Sequence, residues 1–154
     1  MKTSALIIRT SYLIILLLSL FICFTSYAQE NSVSINFDDL NLEWGGCPDF
    51  MPDGCNISVL QGDPSEANTD VLFKVPANSS IPMHWHTSAE RMILLSGEMQ
   101  VTYEGEEPTI LKTGSYAYGP ARKPHTAKCG DSGPCVLFIA FNEPVDANSG
   151  KPDE

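Results

Sequence analysis

Histidine is scarce in this chain: three among 154 residues, His84, His86 and His125. Basic residues are also few, nine Lys and Arg against 19 Asp and Glu, for a formal net charge of −10. A surface of that sign repels nucleic-acid phosphates and anionic lipid heads, so neither a nucleic-acid partner nor lipid-surface binding is expected. A sustained 3.6-residue apolar period is missing, which argues against a helical bundle. Long apolar runs are missing too. The longest, Leu13 to Phe24, is broken by Ser19 and falls short of the roughly 20 residues that a membrane-spanning helix needs. At this length there is little room for a second domain.

The Leu13–Phe24 run follows Lys2 and Arg9 and precedes Ser26-Tyr27-Ala28, a small-x-small site. Residues 1–28 therefore read as a secretory signal peptide cleaved after Ala28, leaving no stable membrane anchor and a periplasmic or secreted protein. Cleavage takes Lys2 and Arg9 from the nine basic residues. Seven then remain against 19 acidic, a net of −12. Cys47, Cys55, Cys129 and Cys135 would mature in an oxidising compartment. Three pairings are open to four cysteines. The local one, Cys47–Cys55 and Cys129–Cys135, is preferred because each bond closes a loop containing Gly and Pro. The alternative, Cys129 as a metal ligand beside His125, is disfavoured by the roughly 13 Å that four residues span in an extended strand.

From residue 57 the chain breaks into short runs rich in β-branched and aromatic residues. They are Ile57–Gln61, Val71–Val75, Ile81–His86, Arg91–Ser96, Glu98–Tyr103, Thr109–Lys112, Ser115–Tyr118, Pro124–Lys128 and Cys135–Asn142. Turn chemistry separates them: Gly62-Asp63-Pro64, Ser96-Gly97, Glu104-Gly105, Thr113-Gly114, Asp131-Ser132-Gly133-Pro134. The expectation is an all-β fold of antiparallel strands over 57–142. An irregular arm over 29–56 precedes it, pinned by Cys47–Cys55. A polar tail over 143–154, rich in breakers, follows and is expected to be disordered.

His84 and His86 are one residue apart, so in a strand they share a face while Trp85 takes the other. Trp85 is expected to pack behind them and hold their rotamers. Glu90 follows a short polar break, and His125 comes later. Three imidazoles and a carboxylate are a ligand set for a divalent transition metal. A lone histidine on a strand is more often a surface or satisfied core residue. Here all of the chain's histidines fall where one site needs them.

These segments resemble the two cupin motifs. His84, His86, Glu90 and Gly97 match G-x5-H-x-H-x3,4-E-x6-G, with Asn78 at the leading glycine. Gly114, Pro120 and His125 match G-x5-P-x-G-x2-H-x3-N, with Arg122 at the second glycine and Cys129 at the final asparagine. The resemblance implies a single cupin jelly-roll barrel and a metal bound by His84, His86, Glu90 and His125. Zn, Mn, Fe, Ni or Cu would suit such ligands. It also makes a homodimer a possible assembly.

Cupin relatives include dioxygenases, decarboxylases, isomerases and lyases, as well as proteins without catalysis. An enzyme acting on a small oxygenated or carboxylate-bearing molecule is one expectation. A non-catalytic metal-binding or sensing module, similar to the cupin domains of zinc-binding anti-sigma factors, is the other. Tyr116 and Tyr118 are candidate proton donors, although aromatic barrel filling is the plainer reading. Arg122 and Lys123, just before His125, are candidates for drawing in an anionic substrate. Surface charge is the plainer reading for them.

Overall fold

A computed structural model describes residues 31–153. The chain divides into two compact units, Met1–Ser34 and Ile35–Glu154. Only residues 31–34 of the first unit are described, and they carry no regular structure. The expected signal peptide therefore lies outside the described residues.

In the second unit every regular element is a strand: β1 Gly45–Gly46, β2 Asn56–Gln61, β3 Thr69–Val75, β4 Ser80–Trp85, β5 Glu90–Ser96, β6 Glu98–Tyr103, β7 Thr109–Lys112, β8 Tyr116–Gly119, β9 His125–Cys129, β10 Cys135–Phe141 and β11 Asn148–Ser149. Two antiparallel sheets form, ordered β1-β2-β3-β10-β5-β8 and β11-β4-β9-β6-β7. The fold is all-β, as expected. The nine expected strands are β2 to β10, with ends displaced by a residue or two.

Period-two alternation sets the core between the sheets. Met92 and Leu94 on β5 and Met99 and Val101 on β6 are buried, while Arg91, Glu98 and Gln100 face water. They meet Val71, Val75, Leu137, Ile139 and Phe141 of β3 and β10. The β5–β6 turn needs glycine: Gly97 has φ +82, and a Cβ there would lie 3.0 Å from the Pro134 carbonyl oxygen.

Two disulfides form, Cys47–Cys55 and Cys129–Cys135, which is compatible with an oxidising environment. Cys129 is thus in a disulfide and is not a metal ligand. The expectation of a disordered tail is corrected: the segment after β10 returns to the barrel and pairs as β11 with Trp85 and His84 of β4. Its polar sequence hides this because its partners lie far back in the chain.

Candidate metal centre

The site is made of two rungs facing each other across the barrel. On one sheet, His84 of β4 pairs with His125 of β9, which pairs in turn with Tyr103 of β6. On the other, Phe141 of β10 pairs with Glu90 of β5, and Glu90 pairs with Gly119 of β8. A β-bulge between Ile81 and His84 gives β4 one extra residue. It turns both Ile81 and His84 inward, three positions apart, where a regular strand would place them on opposite faces. Pro82, with no N–H for the ladder, sits in that bulge.

The three histidines are buried, and each offers a ring nitrogen within 4.8 Å of the others. Each Nδ1 lies against a backbone carbonyl oxygen: His84 on Pro82 at 2.9 Å, His86 on Asp146 at 2.5 Å, His125 on Lys123 at 3.1 Å. A carbonyl oxygen only accepts, so each Nδ1 must donate its proton there. Every imidazole is thereby set as the Nδ1–H tautomer, with the Nε2 lone pair free for a ligand role. Burial holds the His84 pKa down at about 3, helped by the neighbouring His125 and His86. Burial likewise holds His125 at about 4.

Glu90, 3 % exposed, places Oε1 3.5 Å from His86 Nε2 and Oε2 3.9 Å from His125 Nε2. With the tautomers so fixed, the facing Nε2 atoms are all acceptors. Burial pushes the Glu90 pKa up, with His86 opposing and Asp146 adding to the shift. A buried gathering of three imidazole lone pairs and a carboxyl group fits a divalent cation, which gives all of them one partner. The residues present thus fit a metal: His84, His86 and His125 as the triad, with Glu90 beside it.

The other expected site residues lie elsewhere. Tyr116 and Tyr118 are 62 % and 51 % exposed on the outer face of β8, because Gly119 and Ala117 take the inward positions opposite Glu90 and Met92. The Arg122 guanidinium lies 4.8 Å over the Trp85 ring and donates to the Asp153 carbonyl oxygen. Lys123 pairs with Glu106. Neither cation lines the cavity. Trp85 itself is half-buried, with Arg122 covering its ring.

Tyr103 was not among the expected site residues, although it shares a face of β6 with Met99 and Val101. Its ring lies 4.8 Å from that of His125, and its buried hydroxyl has no hydrogen-bond partner. Burial raises its pKa, and the Glu90 charge adds to the shift. Asp146 went unnoticed. Its carboxylate accepts from the Thr87 N–H at 2.8 Å, the Thr87 hydroxyl at 2.5 Å and Asn148 Nδ2 at 2.8 Å, which fixes the carbonyl that orients His86. Its only sequence signal was an acidic residue in a polar tail.

A cavity of about 220 Å³ adjoins this cluster. His84, His86, Glu90, Tyr103 and His125 line one part of it, and apolar side chains line the rest.

A family model for the cupin domain matches residues 71–141. Residues 71–141 therefore form a cupin domain. Solved structures of similar fold include a cupin 2 conserved barrel domain protein from Rhodopseudomonas palustris, 16 % identical with TM-score 0.54, covering 64 % of this chain and 68 % of that one. The polyketide cyclase RemF from Streptomyces resistomycificus is 16 % identical with TM-score 0.64, covering 82 % and 89 %. The DMSP lyase DddQ from Ruegeria pomeroyi is 20 % identical with TM-score 0.61, covering 73 % of this cupin and only 63 % of the lyase. At these identities the likeness is one of fold. No curated protein sequence matches.

Proposed function

We propose that this cupin is an exported enzyme acting on a small oxygenated or carboxylate-bearing molecule at a divalent metal held by His84, His86 and His125, with Glu90 as fourth ligand. The observation that carries the reading is the set of three Nδ1–carbonyl contacts, which leaves three Nε2 lone pairs converging on one buried point. Zn, Ni and Cu suit that donor set most tightly, with Fe and Mn depending on supply. A bound divalent ion supplies Lewis acidity there. The protein's own groups supply the rest. Tyr103 Oη offers a proton or a hydrogen bond to a ligand oxygen, the role expected of Tyr116 or Tyr118. Asp146 and Pro82 hold His86 and His84 in the ligating tautomer. Apolar walls keep water from the reacting end.

The alternative, a sensing module with a closed metal site, is less well supported, because a cavity with room for a ligand adjoins the histidines. Among similar folds, the DMSP lyase and the polyketide cyclase bear the names of catalysts. Metal analysis tests the centre. Purified His84→Ala should hold several-fold less metal than the parent, and unchanged metal content would remove the centre from this account. Export is tested separately, by the N-terminal sequence of protein recovered outside the cytoplasm, expected to begin at Gln29.

A further inference from the structure

Away from its polar end, the cavity is hydrocarbon and sulfur. Met92, Met99, Val101, Leu137, Ile139 and Phe141 are among the residues that form its walls. Among the described residues no Lys or Arg lines it. The acidic side chain beyond Glu90, Asp146, has its carboxylate taken up by Thr87 and Asn148. Tyr103 brings a buried hydroxyl without a partner to the histidine end. Gly119 has room for that hydroxyl only because it lacks a Cβ, which would lie 2.5 Å from Tyr103 Oη.

We infer that the cavity takes a compact ligand with a mostly hydrocarbon body, the size of one substituted ring, and a single oxygen head group that accepts the Tyr103 hydrogen bond. The inference rests on the reading of the site given above and names the substrate class for it. Size comes first: a cavity of about 150 Å³ lined by aliphatic and aromatic side chains holds benzene, so about 220 Å³ leaves room for a ring and a short substituent. Polarity comes second: each hydroxyl on a sugar-like body would lose its water to an apolar wall, at a cost of about tenfold or more in affinity. Charge comes third: with no cationic side chain in the wall, a second ligand carboxylate would meet only the acidic groups Glu90 and Asp146.

Isothermal titration of the zinc-loaded protein with phenylacetate, glucuronate and acetate tests this. The three share a carboxylate and differ in the body. Phenylacetate should bind at least tenfold more tightly than acetate, and glucuronate no more tightly than acetate. Tyr103→Phe should weaken phenylacetate and acetate by a similar factor of about five to ten. Met99→Gln should weaken phenylacetate alone. In parallel, 2-phenylethanol and glycerol titrated into the metal-free protein read the cavity by itself, and only the first should bind. Glucuronate binding as tightly as phenylacetate, or glycerol as tightly as phenylethanol, overturns the inference. A protein that binds phenylethanol but retains no zinc overturns the metal reading and leaves the ligand class standing.

Discussion

Gly119 is glycine for want of space. A Cβ there would meet Tyr103 Oη at 2.5 Å and Glu90 Oε2 at 3.0 Å. Gly119→Ala should therefore lower stability by about 1–3 kcal/mol through overpacking and displace both groups, read as a lower melting temperature together with weaker zinc binding. Tyr103→Phe removes a hydroxyl that nothing in the fold satisfies, so it should leave the melting temperature level or slightly raised. The double variant should recover part of the Gly119→Ala loss, because one of the two collisions disappears. Asn78 and Arg122 stand where the cupin motifs ordinarily carry glycine, and both keep the left-handed backbone, with φ 62 and φ 60. Asparagine tolerates that region better than most residues, and arginine offsets it by stacking on Trp85. Arg122→Ala loses the stacking and keeps the strain. It should be less stable than Arg122→Gly by about 1 kcal/mol, measured by thermal unfolding.

Among the elements, the segment after β10 matters most for the site. Ser88 Oγ accepts from the N–H groups of Asn142 and Glu143 at 2.9 and 3.0 Å, which anchors the start of that segment. Asp146 then clamps Thr87 and presents its carbonyl to His86. Asp146→Ala frees the segment, and His86 loses a fixed tautomer. Zinc affinity should fall about 10- to 100-fold, seen in competition against a chromophoric chelator, while the strands of the barrel persist by circular dichroism. The two disulfides should differ as well. Cys129 and Cys135 are both 0 % exposed, whereas Cys47 is only half-buried. Mild thiol should open Cys47–Cys55 first, at a cost of about 2–3 kcal/mol. Timed alkylation and mass spectrometry would show the order.

For the molecule as a whole, acid should destabilise the metal-free form. His84 titrates at about 3 and His125 at about 4 in the fold, against 6.5 for a free histidine. Below pH 6.5 the unfolded chain takes up protons that the folded chain refuses. Stability then falls by about 1.4 kcal/mol per pH unit for each group until its folded pKa is reached. Glu90, with its pKa raised from 4.5, acts the other way: its contribution is present below pH 4.5 and is lost as pH rises through the folded value. Two imidazoles outweigh one carboxyl, so the chelated protein's melting temperature should drop between pH 6.5 and 4.5. Zinc at saturation should raise the melting temperature at neutral pH by mass action, since the unfolded chain lacks the assembled site.

Much of this was readable from local pattern, because strand periodicity and turn residues are local. Alternation groups Met92 with Leu94, and Met99 with Val101 and Tyr103, and the i, i+2 spacing puts His84 and His86 on one face; burial then shows which of these faces is inward. Motif spacing singled out the three histidines and Glu90. Cross-strand register is not local, and it decided what remained. The pairing of Glu90 with Gly119 turned Tyr116 and Tyr118 outward, and the bulge in β4 aligned His84 with His125 and hence with Tyr103. The return of the C-terminal segment brought Asp146 to His86 across sixty residues of chain. The sequence by itself therefore determined which residues share a strand face and which of them bear ligand chemistry. Only the tertiary structure decided the tautomer of each imidazole, the tyrosine at the site and the apolar character of the space beside it, because each depends on partners that chain folding alone brings together.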